Sequence, residues 1–464
     1  MTPLQGTRPE GSSGSSPGSS PGSSPGAVEL LADLARRGLP EAEIYEKTGR
    51  SRRFSRESPR AADGEPVRTT QAAATEAGWA LRAGDRRRSL FFAATGSADP
   101  QVELPEPTPH PLRLPDLSLS SAAASADNAS APVPPELEAP LATESVAATL
   151  FAAIERELRR ELPASRLVHA FLEEGASESA LLASSGLRAE WRARAAWLRL
   201  EVEDHGRRCG FDGAERELRL FEPRALALRL VDRLCALEEA GARSPGALDS
   251  GSPLLLAAPL AARLVQAIAP LFLGPAAHDR IAALGTLSAE LTLIDDGRLD
   301  GGVLAAPVDG EGLPSGRALL VEEGRFVRPL LAWWESGRSA VPGCSRRASW
   351  RDLPRPAPTH FYVAPTATAV VDLVASGGAG AYLLDAEGAV RIDPVSLAFE
   401  VAVSGLQLAA GRAVAPLGAV RLCGDVKSLL AGLRARGRDL LFVPGDGMFG
   451  APSLLASGLR IQPD

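Results

Sequence analysis

The sequence predicts an α+β protein, with N-terminal α/β sandwich-like domains and a C-terminal β-rich domain built on a curled or barrel-like sheet. Three observations lead there. Helical periodicity is confined to a few short windows. Period-two alternation marks a long strand before residue 205, and from about Gly251 short apolar runs alternate with Gly/Pro turns. Strands with so few helices between them argue against a doubly wound parallel sheet. With 464 residues, 45% of them hydrophobic, the chain can bury two or three cores.

Residues 1–26 are dominated by a Gly/Ser/Pro repeat, a composition that cannot bury apolar surface and reads as a disordered tail. Its chance matches to the G-x-S-x-G nucleophile motif lack the strand and helix that such a serine needs. A first α+β domain is expected over 27–114. It opens with a helix that places Val28, Leu31 and Leu34 on one face and Gly38 past its end. Strands follow at Glu43 to Thr48, Gly78 to Ala83 and Ser89 to Ala94, the last two joined by a turn at Ala83-Gly84-Asp85.

Residues 115–142, rich in Ser, Ala and Pro, read as a linker, and a central α+β domain spans 143–250. Its first helix is capped by Thr143, lines up Val146, Leu150, Ile154 and Leu158, and stops at Pro163. A strand from Leu187 buries every second residue, then slips phase at Ala195-Ala196, which predicts a β-bulge there. Pro223 opens a second helix with Ala227, Leu230, Val231, Leu234 and Leu237 on its inner face.

The C-terminal domain, 251–464, is expected to hold strands at Leu291 to Ile294, Ala318 to Glu322, Phe361 to Val363, Ala381 to Leu384 and Phe399 to Val403, with one later helix at Val426 to Arg436. Leu254 to Leu273 is about long enough to span a bilayer. Arg263, Gln266, Pro259 and Pro270 oppose insertion, so a strand followed by a buried helix is expected instead.

A net charge of -7 gives no electrostatic reason to bind nucleic acid. Four cysteines without a C-x-x-C pair, and no charged start leading into an apolar run, fit a cytoplasmic protein without a secretory signal. His205 and Cys209 have a metal-like gap and are the weak local alternative for a metal site. His278 reads as a loop histidine. Arg50, Arg52, Arg53 and Arg56, with Arg86 to Arg88, read as a solvated sheet face able to steer an acidic peptide.

The densest pattern is a strand closed by Asp295-Asp296, a turn carrying Asp309, Glu311 and Gly312, and a strand closed by Glu322-Glu323-Gly324. This series, with Asp385-Ala-Glu-Gly388, Ser404-Gly405, Pro416-Leu-Gly418 and Asp439-Leu-Leu-Phe442, resembles the TldD/PmbA family of metallopeptidases. Active members carry His-Glu-x-x-x-His on the preceding helix, whereas residues 251–277 here contain no His, Glu, Asp or Cys. The zinc-bearing relatives also place a cysteine in the last segment, and 442–452 has none. The chain is therefore similar to the PmbA (TldE) type. The resemblance implies a non-catalytic subunit that binds no metal itself and pairs with a zinc-bearing TldD-like subunit, or with itself, to process unfolded peptides. The alternatives are a divergent metallopeptidase active alone, with ligands such as His205 and Cys209, and a stand-alone peptide-binding protein. Asp295, Asp296, Asp309, Glu311, Gly312 and Gly324 are expected to serve structure, since carboxylates and glycines in such turns satisfy backbone amides.

Overall fold

The computed structural model describes residues 24–59, 66–110, 112, 114, 140–237, 252–336, 343–418 and 420–463. The expected tail therefore lies outside the described residues over 1–23, and the expected linker over 115–139. Ser24 already belongs to the fold. Its hydroxyl caps helix α1 (Pro25–Arg36) by accepting the Ala27 amide, and its backbone and side chain both donate to Glu46. The helix thus starts two residues earlier than expected and buries Ala27, Leu30 and Leu34, while Val28 is exposed. Gly38 follows its end at φ 79°, a conformation that suits glycine.

Three strands follow, β1 (Glu41–Glu57), β2 (Arg68–Gly84) and β3 (Ser89–Thr95), then α2 (Glu144–Glu161), β4 (Arg166–Ala183), β5 (Arg188–Asp204), β6 (Arg207–Glu215) and α3 (Pro223–Ala236). The strands form one antiparallel sheet in the order β3-β2-β1-β4-β5-β6. Because β1 pairs with both β2 and β4, the stretches expected as separate domains over 27–114 and 143–250 share this sheet.

Helices α1, α2 and α3 cover one face. Ala42, Ile44 and Leu81 pack under α1, and Leu172, Leu198 and Leu200 pack under α2 and α3. Thr143 caps α2 as its sequence suggests, accepting the Val146 amide. The buried stripe of α2 runs through Ala147, Phe151, Ile154 and Leu158, and Val146 is exposed, because strict four-residue spacing drifts around a helix of 3.6 residues per turn.

The expected bulge at Ala195-Ala196 is absent: Gly175 pairs with Ala195 and Glu174 with Ala196 in unbroken register. The phase slip has another cause. Trp191 and Ala195 are covered on the face away from the helices, by Tyr45 and by Val303 and Met448 of the C-terminal half, whereas Ala196, Leu198, Leu200 and Val202 are covered by α2 and α3. The two covers are offset along one strand whose register is unbroken there.

The C-terminal half begins with β7 (Leu254–Leu256) and the buried helix α4 (Ala258–Ile268), the strand and helix expected of the apolar run. Among the described residues no helix is long and apolar enough to cross a membrane. Helix α5 (Ala277–Leu284) carries His278, expected in a loop, edge-on to Phe326. Then come β8 (Leu293–Asp296), β9 (Arg317–Glu322), β10 (Arg325–Phe326), β11 (Ser345–Arg346), β12 (Arg355–Pro356) and β13 (His360–Val363). These are followed by α6 (Val370–Ser376), β14 (Ala381–Ala386), β15 (Ala398–Ala409), β16 (Arg412–Pro416) and β17 (Val420–Asp425). Last are α7 (Val426–Ala431), β18 (Leu433–Arg436), β19 (Leu441–Pro444), β20 (Met448–Ala451), β21 (Leu454–Ala456) and β22 (Arg460–Pro463).

One sheet runs β10-β9-β8-β13-β20-β19, and a second, curled sheet runs β18-β21-β7-β14-β15-β17-β22 with β16 alongside β15. Their shared core includes Leu260, Leu264 and Phe272 from the α4 region with Leu293, Phe361, Leu383 and Val403 from the strands. The expected helix at Val426 to Arg436 stops at Ala431. Asp425 caps it, and Gly432 lies so close to the Ser457 carbonyl that a side chain there would collide, so the chain turns into β18. Helix α6 gave no sequence signal because two turns are too short to establish a period.

Candidate functional site

Two charged centres lie where the first sheet meets the C-terminal half. The first is built on the acidic series. Asp309 sits in a tight turn with one carboxylate oxygen accepting the Glu311 and Leu313 amides, both at 2.9 Å, and the other accepting the Ser345 amide at 3.0 Å. Burial and the neighbouring Glu311 outweigh these donors and push the Asp309 carboxyl up to about 7. Glu311 is fully buried; its Oε2 accepts from Ser345 Oγ at 2.6 Å and from the Trp333 amide at 2.7 Å. Its other oxygen has no hydrogen-bond partner and lies 3.8 Å from Arg82 Nη1, and burial raises this carboxyl also.

Arg82 grips Glu43 across the β1–β2 pair with two bonds of 3.1 and 2.7 Å. Arg347 donates to the same Glu43, bonds the Gly310 carbonyl at 3.1 Å and stacks 5.0 Å from the Tyr45 ring centroid. Burial opposes ionisation of Glu43, but the two guanidiniums hold its carboxyl below the ordinary range. Gly312, at φ 82°, meets the β4–β5 hairpin so closely that an added Cβ would lie 2.2 Å from Leu187 Cδ2. The acidic turn is therefore the joint that docks the C-terminal half on the sheet. Beside it lies a cleft of about 460 Å³ lined by Tyr45, Arg50, Trp191, Trp197, Asp309 and Arg346.

Asp295 and Asp296 close β8. Asp295 accepts the Thr359 amide at 2.7 Å, and burial pushes its carboxyl up to about 7. Asp296 caps the Arg298 amide through its side chain and receives His360 Nδ1 at 2.9 Å on its carbonyl. His360 Nε2 accepts the Leu304 amide, so the ring is held neutral, and burial lowers its pKa. Gly324 closes the β9–β10 turn at φ 78°, with the Ser288 carbonyl 2.7 Å from where a Cβ would stand.

The second centre surrounds the cleft-facing side of α4. Arg263 Nε lies 2.9 Å from Asp385, Arg233 of α3 lies 3.1 Å from the same carboxylate, and Arg233 also pairs with Glu387 at 2.8 Å. Arg233, Arg263 and Glu387 border a cleft of about 900 Å³ with Gln266, Cys209, Pro444 and Gly445 on its walls. A catalytic zinc needs about three His, Cys or carboxylate ligands and an open position. The cleft side of α4 presents a guanidinium and an amide, and these do not fit that ion.

His205 and Cys209 do not converge. His205 is exposed in the β5–β6 turn at φ 48°, whereas the Cys209 thiol is buried against the Leu230 carbonyl and pushed up to about 12 by burial. Among the described residues no group of three His, Cys, Asp or Glu is arranged to hold a metal. The arginines of 49–56 lie within β1: Arg53 pairs with Glu173, Arg56 with Glu155, and Arg52 reaches the Ala142 carbonyl. Sequence reasoning missed Glu43, Arg82 and Arg233. The available signal was a charge set inside an apolar run, as in Ala42-Glu43-Ile44 and Leu81-Arg82-Ala83.

The fold defines a two-part α+β protein, in which a six-stranded antiparallel sheet meets a C-terminal half built mainly on two further sheets. Residues 250–463 match the PmbA/TldA metallopeptidase C-terminal domain. It is 28% identical over 163 residues to the "Metalloprotease TldD homolog" of Buchnera aphidicola subsp. Schizaphis graminum, a match covering 34% of this chain and 33% of that relative. Among solved structures it resembles TldE from Thermococcus kodakarensis, with a TM-score of 0.74, 17% identity, and 94% and 99% of the two chains covered. It also resembles a protein described as a modulator of a DNA gyrase from Thermotoga maritima, with a TM-score of 0.70, 14% identity, and 94% and 99% covered. These likenesses establish the fold.

Proposed function

We propose that this chain is a non-catalytic subunit that assembles with a zinc-bearing TldD-like partner and helps to hold unfolded peptides for cleavage. The observation that carries this reading is Arg263, a cation on the cleft-facing side of α4 locked to Asp385. A divalent cation placed there would meet two guanidiniums, Arg233 and Arg263, without the neutral imidazoles or free carboxylates that bind zinc. An extended peptide has a surface to join. On β2, strand β3 covers Gly78–Gly84, so the outer edge of β2 over residues 69–76 carries no strand partner among the described residues and can accept one.

The test is co-expression with a zinc-bearing relative, followed by mass measurement of the complex, metal analysis and a cleavage assay on an unstructured peptide. The chain alone should hold less than stoichiometric zinc and cleave nothing, and the complex should cleave. Zinc-dependent cleavage by the lone chain would refute the proposal.

A further inference from the structure

A cavity of about 350 Å³ lies between the end of β6, helix α3 and the 299–303 loop, with Phe211, Phe221, Phe442 and Met448 on its walls. Arg229 of α3 lines it, with its guanidinium carbon 5.2 Å from the centroid of the Phe211 ring. Among the described residues Arg229 has no hydrogen bond and no ion pair. Asp385 attracts it, but that carboxylate is already engaged by Arg233 at 3.1 Å and Arg263 at 2.9 Å. Three guanidiniums, Arg229, Arg233 and Arg263, thus face two carboxylates, Asp385 and Glu387, and the surplus positive charge falls on Arg229.

The other charged groups on the cavity do not cancel it. Glu215 makes no ion pair with Arg229, and burial raises its carboxyl; Asp300 is exposed. A guanidinium stays charged at any working pH, and one partly withdrawn from water without a counter-ion gains by pairing with an anion. The aromatic walls restrict which anion fits. A small inorganic ion would leave them unfilled, whereas a carboxylate with a large apolar side chain on the same carbon meets both the cation and the rings.

We propose that this cavity binds the terminal carboxylate of a peptide ending in an aromatic or large apolar residue, with the carboxylate on Arg229 and the side chain among Phe211, Phe221 and Phe442. The space is of the size taken by one or two residues. The proposal does not depend on pairing with a zinc-bearing subunit, because the binding assay uses this chain alone.

Calorimetric titration of the full chain with the tripeptide Ala-Ala-Phe should give saturable binding, at least tenfold tighter than for its C-terminal amide or for Ala-Ala-Ser. Arg229→Gln should abolish the preference for acid over amide, and Arg229→Lys should keep part of it, with both variants melting as the wild type does. Absence of binding at millimolar tripeptide, equal binding of acid and amide, or an acid preference retained in Arg229→Gln overturns the assignment. Nα-acetyl-phenylalanine separates the two sources of such a carboxylate: weaker binding than the tripeptide supports a peptide end, and equal binding overturns that part in favour of a small aromatic acid.

Discussion

Arg263 Nε and Asp385 Oδ1 stand 2.9 Å apart and join helix α4 to strand β14, with side-chain exposures of 20% and 3%. The pair connects a helix to a strand 122 residues further on, and Asp385 extends the connection to Arg233 of α3. One carboxylate thereby couples the helices of the first sheet to the core of the C-terminal half. Arg263 of this pair places a guanidinium, which has no lone pair to give a metal, on the cleft-facing side of α4.

Removing Asp385 leaves the buried Arg233 and the partly buried Arg263 guanidiniums without the carboxylate they share. Asp385→Ala should lower unfolding stability by about 3 kcal/mol, the usual loss when one member of a buried pair is deleted. Arg263→Ala should cost less, since that side chain is partly solvated and Arg233 keeps the carboxylate paired. Guanidinium denaturation of both variants beside the wild type measures the difference.

Asp295 supplies a pH dependence of known sign. Its carboxyl titrates near 7 in the folded chain and in the ordinary range near 4 when unfolded, so the folded state holds an extra proton between those values. Its contribution to stability is complete below about 4 and is lost as the pH rises through 7. Asp295→Asn mimics the protonated form and keeps an oxygen for the Thr359 amide. Its stability relative to the wild type should therefore rise from pH 4 to pH 8, read from unfolding midpoints across that range. A constant difference would contradict the assignment.

Gly312→Ala should be disproportionately harmful for one added methyl group. The residue has φ 82°, and the new Cβ would lie 2.2 and 2.7 Å from Leu187 and Leu181. Strain and overpacking together should cost about 2 to 3 kcal/mol. Because the contact joins two parts of the fold, limited proteolysis should also show faster cutting between them.

Cys209 and Cys344 are buried, and burial raises both thiols, Cys209 to about 12. Iodoacetamide at pH 8 should leave both unmodified in the folded chain and alkylate them once denaturant is added. Peptide mass mapping checks this. Rapid labelling of native Cys209 would show that the β6–α3 packing opens.

The order of strands and turns around Asp295, Asp309 and Gly324, the cap at Thr143 and the strand-helix nature of Leu254 to Leu273 were legible from residues alone, because local chemistry governs each. Caps, tight turns and apolar periods are set by neighbours within a few positions. The meeting of Glu43 with Arg82 and Arg347 was not, since the partners are 39 and 304 residues away. Strand β5 shows the same limit. Its alternation is legible, but the slip at Ala195-Ala196 reads as a bulge in the sequence and is in fact the change from one cover to another on the two faces of an unbroken strand. Side-chain order along the chain settles which face of an element is apolar; only packing settles what lies against that face, because the burial that shifts Asp309 and leaves Arg229 without a counter-ion comes from segments far apart in the chain.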